Sequence, residues 1–367
     1  MKYSFPKIIE TLAAGERLAL ATIVEKQGSA PQVPGASAIF SAAGLVAGTV
    51  GGGLLEARVE AIAKEALRDG KARLASIRLD ADPSDLEGAI CGGTATVLVD
   101  PGVGAERAVF KMALDGFRKR QPGLLASLIV PGQNELVSVE RRFIGIGSAS
   151  APRTEALFDV FAAEVDRGAP PAPIAVGPEI FAAALEDGRP GLVKSAGRLI
   201  FLEPVRPLPR LIVAGAGHVG RAVARLASLL DFSVTVIDDR HEFANAENVP
   251  EADEIVVGGI GEAVGAIEDS EDNYFVIVTR GHQKDAEALR AAIGRPAAYI
   301  GMIGSRQKIE IMHCEFMESG WATADTWAAV HAPIGIEIGS KTVEEIAVSI
   351  AAELVLVRSK RKESGRP

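Results

Sequence analysis

The sequence predicts an α/β protein in two parts, an N-terminal α+β domain followed by a C-terminal Rossmann-like, doubly wound parallel sheet. Three observations carry that expectation. The prolines of Glu203-Pro-Val-Arg-Pro-Leu-Pro-Arg210 deny the backbone donors that a helix or a central strand needs. Beyond them, strand-like and helix-like segments alternate, the pattern of parallel pairing through crossover helices. The first of those alternations is joined by Gly215-Ala-Gly217-His218-Val-Gly220, a glycine turn between an apolar strand and a helix. The domains are therefore placed at residues 1–203 and 204–367, with a linker at about 204–209.

At 367 residues the chain can bury a core in each part. Its 48% hydrophobic and 24% charged residues match an ordinary globular protein and argue against disorder or a fibrous design. Lys and Arg number 39 against 48 Asp and Glu, a net charge of −9. Such a chain has no global footprint for nucleic acid or an anionic membrane. Any anion it binds must be held by local loops. Cys91 and Cys314 lie far apart with no C-x-x-C partner, which argues against a zinc knuckle, a redox motif or a disulfide scaffold. The first ten residues are too charged for a signal peptide, and no apolar run is long enough for a membrane span. The expected setting is reducing and cytoplasmic.

In the first part, a short helix at 8–13 precedes a strand at 18–24 and the loop Gly28-Ser-Ala-Pro-Gln-Val-Pro-Gly35. Segments 38–40 and 45–50 read as a hairpin. Gly51-Gly52-Gly53 opens a helix at about 54–68, where apolar residues recur at helical spacing. An acidic stretch (Asp80, Asp82, Asp85, Glu87) leads to Cys91-Gly92-Gly93 and an alternating strand at 94–99. Further on, helices at 105–118 and 154–167 are interspersed with strands at 124–130, 136–143 and 199–202. In the second part, strands are expected at 210–214, 233–237, 254–257, 273–279 and 298–303. Helices are expected up to 230, at 284–293 and from 343 towards 358, with a frayed basic tail over 358–367.

In the glycine turn, Gly215 permits the tight bend, Gly217 lets N–H groups approach a phosphate at the helix N-terminus, and Gly220 lets helix and strand pack closely. Asp238 ends the next strand, where it can accept hydrogen bonds from a ribose diol. His218 is either a donor to a phosphate or pterin group or a packing residue of the first helical turn. Two further loops belong at the carboxyl edge of the same sheet, where open α/β sheets bind ligands. They contribute Arg280 and His282 after one strand and Ser305, Arg306 and Lys308 after another. Gly51, Gly52 and Gly53 offer bare N–H groups to an anion, without the Gly-Lys-Ser/Thr ending of a P-loop. Glu56 in the following turn suits the helix dipole. Cys91, flanked by Gly92 and Gly93, is either a small buried hydrophobe or a reachable thiolate, soft enough for molybdenum or persulfide chemistry. Cys314 reads as helix packing.

Taken together the motifs resemble the XdhC/CoxI family, xanthine-dehydrogenase accessory proteins that handle molybdenum cofactor. The resemblance rests on Gly28-Ser-Ala-Pro31 with Pro34-Gly35, Gly48-Thr-Val-Gly-Gly-Gly53 with Glu56, and Cys91-Gly-Gly93. It continues through the 215–220 turn, Asp238-Asp-Arg240 with Glu242-Phe-Ala-Asn245, Thr279-Arg-Gly-His282 and residues 301–308. It ends on His331-Ala-Pro-Ile-Gly335 with Glu345-Ile-Ala-Val-Ser349. Gln32 and Ser37 stand where basic residues are expected in many relatives, and Leu54 where some have cysteine. The resemblance implies a non-enzymatic chaperone that binds molybdenum cofactor (molybdopterin or its dinucleotide form), protects it during sulfuration and delivers it. Its implied partners are an apo molybdenum hydroxylase of the xanthine-dehydrogenase kind and a NifS-like cysteine desulfurase, with no nucleic acid and no membrane. A homodimer is an allowed assembly. Cys91 is the implied contact to molybdenum. The competing expectation is an NAD-dependent oxidoreductase that uses the glycine turn for NAD(H).

Overall fold

The computed structural model describes residues 4–29, 32–79, 92–145, 184, 188–195 and 197–363. The expected helix at 154–167, the acidic stretch at 80–87, Ala30, Pro31 and Cys91 lie outside the described residues. Two compact units divide the chain, Met1–Pro207 and Leu208–Pro367. The first contains α1 (Ser4–Ala13), β1 (Ala19–Gln27), β2 (Ser37–Ser41), β3 (Gly44–Gly48), α2 (Gly53–Asp69), β4 (Ala72–Arg78) and β5 (Thr94–Asp100). It continues with α3 (Arg107–Arg118), β6 (Gly123–Pro131), β7 (Leu136–Gly145), β8 (Gly191–Ser195) and β9 (Arg198–Val205). The nine strands form one antiparallel sheet in the order β3-β2-β1-β5-β4-β7-β6-β9-β8. Period-two alternation puts Ala95, Val97 and Val99 of β5 on one face, against Leu55, Val59, Ala63 and Ala66 of α2. α1 and α3 cover the other face with Ile8, Phe110 and Leu114. α2 stops at Gly70, whose left-handed φ of 72° turns its N–H back onto the Ala66 carbonyl.

The second unit contains β10 (Arg210–Ala214), α4 (His218–Leu229), β11 (Ser233–Asp238), β12 (Glu254–Val257), α5 (Ile260–Gly265), β13 (Asn273–Ile277) and α6 (His282–Ala292). It ends with β14 (Tyr299–Met302), α7 (Arg306–Glu318), α8 (Ala324–Ala328), β15 (Val330–His331) and α9 (Val343–Glu363). All six strands are parallel, in the order β12-β11-β10-β13-β14-β15. α4 and α9 pack on one face of the sheet and α5, α6 and α7 on the other. This is the doubly wound sheet that the alternation predicts. The chain reverses between β10 and β13, which makes that gap the topological switch point.

Two expectations need correcting. The basic tail is helix as far as Glu363, because its arginines are docked. Arg358 donates to the Leu230 carbonyl at 2.6 Å, and Arg361 to the Glu271 carbonyl at 2.8 Å. Cys314 is exposed and not packed: α7 buries Met312 and Phe316, and a residue midway between an i,i+4 pair lies on the opposite side of the helix. None of the described helices is long and apolar enough to cross a membrane.

The face of the first sheet under α3 holds a buried charge cluster. Arg141 on β7 bonds Asp100 on β5 and reaches Glu106 at 2.6 Å. Its Nε has no hydrogen-bond partner among the described residues. On the same face lies Glu203 of β9, only 5% exposed. One guanidinium cannot neutralise three carboxylates away from water, and burial, against the attraction of Arg141, pushes Glu203 up to about 7. The folded chain therefore keeps a proton on Glu203 that the unfolded chain sheds near 4.5. Stability falls as pH rises through that window, by about 3 kcal/mol in all. Glu203→Gln mimics the protonated form, so the variant is expected to gain on the wild type between pH 5 and pH 8. Urea denaturation across that range checks this, and a constant difference between the two proteins rejects it.

Candidate functional site

In the first unit the glycine loops gather at one end of the sheet. β1, β3 and β4 end there and β2 and β5 begin there. Backbone meets backbone at this end. A Cβ on Gly93 would stand 2.3 Å from the Ser29 carbonyl oxygen, and one on Gly28 would lie 3.3 Å from that of Gly92. Gly48 is likewise closed by Ser37 at 2.2 Å. The Gly28 loop and the Gly92-Gly93 turn that follows Cys91 are therefore in contact. Gly92 itself has no described neighbour within 4 Å of a Cβ.

Gly51, Gly52 and Gly53 all take positive φ, at 129°, 69° and 52°, a conformation that favours glycine. As an anion cradle the run is weaker than its sequence suggests. The Gly51 N–H is already donated to Thr49 Oγ1 at 3.0 Å. Glu56 accepts from Thr49 Oγ1 at 2.7 Å and from the Val50 N–H at 3.3 Å. Its carboxylate thus compensates the positive end of α2 that an anionic ligand would use. Glu56 closes the turn as well as suiting the dipole.

In the second unit the loops after β10, β13 and β14 emerge side by side at the carboxyl edge. Parallel strands lie about 4.8 Å apart, so the outer two loops are about 10 Å apart. The three glycines of the turn have different reasons to be there. Gly215 has φ 112°, and its Cβ would meet the Val278 carbonyl oxygen at 2.5 Å. A Cβ on Gly220 would sit 1.8 Å from the Gly215 carbonyl oxygen. Gly217, at φ −68° and ψ −171°, caps α4 in a conformation open to any residue, and nothing lies within 4 Å of its Cβ position. The chain itself does not require glycine at 217. The free space lies over the uncapped N-terminus of α4, where a phosphate fits.

Arg280 in the loop after β13 and Arg306 at the first position of α7 are exposed and have no ion pair or hydrogen bond among the described residues. Ser305 caps α7 by accepting from the Lys308 N–H at 3.3 Å. Lys308 bonds Asp285, which also accepts from Thr279 N and Oγ1, at 3.0 and 2.6 Å. That carboxylate is fully buried, and burial holds it above its usual range against the pull of Lys308 and Thr279. Lys308 is therefore committed to tying the two loops together. His282 begins α6 and is held by Glu315 through Nε2 at 2.9 Å. His218 is set apart from these groups. It lines a groove of about 690 Å³ along α4 with Arg221, Glu247 and Glu344, to which none of Arg280, His282, Ser305 and Arg306 contributes.

Asp238 differs from its expected role. Its Oδ1 accepts from the Arg240 N–H and Nε at 3.0 and 2.8 Å, and its Oδ2 from the Ala216 N–H and Arg240 Nη2 at 2.8 and 2.9 Å. Burial opposes ionisation, but these donors outweigh it and hold the carboxyl below its usual range. No acceptor position is left for a ribose diol. Sequence spacing locates Asp238 correctly at the strand end but carries no signal that Arg240, two residues on, turns back to fill it. Sequence reading quotes His331 as part of a family block but misses its partner: Nδ1 meets Glu353 at 2.9 Å, and 22 residues separate the pair with no local pattern to link them. Among the described residues no group of three or more His, Cys, Asp or Glu could hold a metal ion.

Comparison with known proteins fits this geometry. The sequence profile of the XdhC and CoxI family matches residues 11–78, and that of the XdhC Rossmann domain matches residues 211–354. An uncharacterized Escherichia coli (strain K12) protein, YqeB, is 38% identical over 152 residues, 41% of this chain and 28% of that protein. A Bacillus subtilis (strain 168) protein named as a probable xanthine dehydrogenase subunit is 28% identical over 161 residues, 44% of this chain and 46% of that one. The matches thus span less than half the length of these curated relatives. A crystal structure described as a xanthine dehydrogenase from Bacillus halodurans superposes with a TM-score of 0.71 at 23% identity, covering 99% of this chain and 98% of that one. It shares the fold.

The glycine geometry gives a direct test. Gly217→Ala should leave thermal stability within about 0.5 kcal/mol of wild type and weaken binding of phosphate-bearing ligands about ten-fold or more, because its methyl group occupies the phosphate's approach. Gly220→Ala should cost about 1–3 kcal/mol by overpacking. Thermal denaturation with a phosphate-ligand titration checks both, and unchanged affinity in a folded Gly217→Ala protein makes that glycine incidental.

Proposed function

This chain belongs to the XdhC and CoxI family, its two matched segments together covering more than half of the sequence, and on that premise we propose an accessory protein for a molybdenum hydroxylase of the xanthine-dehydrogenase kind. In this reading the chain binds molybdenum cofactor, protects it during sulfuration by a NifS-like cysteine desulfurase, and delivers it to the apo-hydroxylase. The name of the Bacillus subtilis relative supports the association with a xanthine dehydrogenase.

The observation that carries the cofactor reading is Gly217, a glycine that the chain does not need, above a helix N-terminus. The cofactor supplies a phosphate, or a pyrophosphate in its dinucleotide form, and a metal centre bearing the reactive sulfur. The N–H groups at the start of α4 would hold the phosphate. Arg280 and Arg306 would neutralise it from the adjacent loops. The pinned glycine turn and the Lys308–Asp285 tie keep these groups in place before the ligand arrives. Cys314, the one described cysteine, is exposed on α7 on the side opposite its buried residues. Contact with the metal is assigned to Cys91, outside the described residues.

The alternative, an NAD-dependent oxidoreductase, uses the same phosphate cradle but also needs a ribose acceptor, and Asp238 is filled. Molybdenum mass spectrometry with oxidised-pterin fluorescence, on protein purified anaerobically from cells supplied with molybdate, tests the proposal. Matched, near-stoichiometric signals are expected, and Cys91→Ala should retain several-fold less molybdenum at unchanged thermal stability. Absence of both signals, repeated after free cofactor is added, overturns the proposal; saturable NAD binding in that sample would favour the dehydrogenase.

A further inference from the structure

We propose that α9 pairs antiparallel with α9 of a second copy of this chain, about a two-fold axis at Ala352, and that this helix face is a homodimer interface. The pairing is independent of the ligand argued above.

α9 carries more apolar surface than its own sheet covers. Its Ala347, Ile350 and Leu354 are buried in the core of the second unit. On the other side Val348, Val355 and Leu356 are 49%, 38% and 44% exposed, and no other described helix exposes more than two large apolar side chains. Leu229, the last residue of α4, is 71% exposed and lines the same groove as Val348. A helix that is apolar on both sides is normally buried on both. A bare apolar patch of this kind marks a surface that another molecule covers.

The charges around the patch identify that molecule. Glu344 in the first turn and Lys360 near the end of α9 are exposed, and neither has an ion pair or hydrogen bond among the described residues. Glu345, by contrast, accepts from the Lys341 and Thr342 N–H groups at 2.7 and 3.0 Å. Glu344, Val348, Ala352, Leu356 and Lys360 recur at intervals of four residues and so form a single i, i+4 ridge. At 1.5 Å per residue the ridge is about 24 Å long.

Reversed, this ridge complements itself. Val348 and Leu356 stand four residues either side of Ala352, and Glu344 and Lys360 eight. Turned about Ala352, Val348 of each copy meets Leu356 of the other, and Glu344 meets Lys360. Two such rows interdigitate when the helices cross at about 50°. Ala352, the smallest side chain of the ridge, then lies where the two helix axes come closest. A two-fold contact requires a surface complementary to itself, and an acid and a base at opposite ends of an apolar row satisfy that condition. A patch of one sign would instead suit a partner of opposite charge. The chain carries a net charge of −9, so two copies repel at a distance, and the paired Glu344 and Lys360 answer that repulsion locally.

Sedimentation equilibrium of the full chain tests this, and a reversible monomer–dimer equilibrium is expected. Leu356→Glu should weaken association about a hundred-fold at unchanged melting temperature, because each substitution counts twice in a two-fold interface. Glu344→Lys and Lys360→Glu should each weaken it several-fold, and the two together in one chain should restore it. Cross-linking with oxidised glutathione, in a Cys91→Ser, Cys314→Ser background, reads the register. Ala352→Cys should cross-link to itself, and Val348→Cys to Leu356→Cys but not to itself. A protein that is monomeric at every concentration overturns the proposal, as does a dimer indifferent to Leu356→Glu. Self-cross-linking of both Val348→Cys and Leu356→Cys shows a parallel pair and overturns the antiparallel one.

Discussion

Four donors meet on the two carboxylate oxygens of Asp238, and two loops of the second unit depend on that meeting, while a third is tied to the main chain of the same residue. The Ala216 N–H fixes the glycine turn after β10. The Arg240 backbone and guanidinium fix the loop after β11. The Asp238 carbonyl receives the Gly258 N–H and so fixes the end of β12. A charge that is 2% exposed is tolerable only when paired, and removing one partner of such a pair typically costs about 3–5 kcal/mol. The loops are therefore held in place without a ligand. That rigidity makes the free space over Gly217 meaningful, because a loop that could relax would close over it.

Much of this architecture can be read in the sequence because it follows from local periodicity. The parallel strands of the second unit, the α2 stripe of Leu55, Val59 and Ala63, and the alternation of β5 all come from residues within one turn or one pleat of each other. β4 escapes that reading because Arg73 interrupts its apolar pattern. The guanidinium is nonetheless buried, since it folds back onto Asp69 at 2.6 and 3.1 Å. β15 escapes because it is two residues long. The site is harder to read than the fold. The sequence presents the glycines of the 215–220 turn as one motif, whereas in three dimensions two of them answer to neighbouring backbone and one answers to nothing in the chain. In the first unit most of the glycine signal has the same structural origin, since Gly28, Gly48 and Gly93 are needed for close backbone approach.

Long-range charge pairing has no sequence signature. Arg141 lies 41 residues from Asp100 and 35 from Glu106, yet the three share one buried face. In the second unit Glu353 gathers the Tyr299 hydroxyl, the Gly335 N–H at 2.7 Å and His331 Nδ1. Burial works against its ionisation, but those donors hold it below its usual range, while burial and that carboxylate together keep the Tyr299 phenol protonated. These pairs lock elements distant in sequence into one arrangement. The Glu353 group is satisfied locally, whereas Arg141 keeps a buried Nε without a partner among the described residues.

Arg280 and Arg306 are different. Arg73, Arg141, Arg210, Arg240 and Arg295 each have a carboxylate partner, in a chain with nine more acidic than basic residues. Other described arginines, such as Arg17 and Arg107, also lack a carboxylate partner, but Arg280 and Arg306 stand on an edge that also carries Asp239, Asp285, Glu287 and Glu315. Those carboxylates are engaged by Lys284, Lys308 and His282. The edge therefore uses lysine and histidine to satisfy its acids and leaves its arginines open to a ligand. Arginine is the side chain whose planar fork matches a phosphate, and both open forks stand on the loops beside the one glycine of the turn that the chain does not need. Charge assignment and steric space, two independent properties of the same loops, point to one kind of ligand group, an anion arriving at the N-terminus of α4.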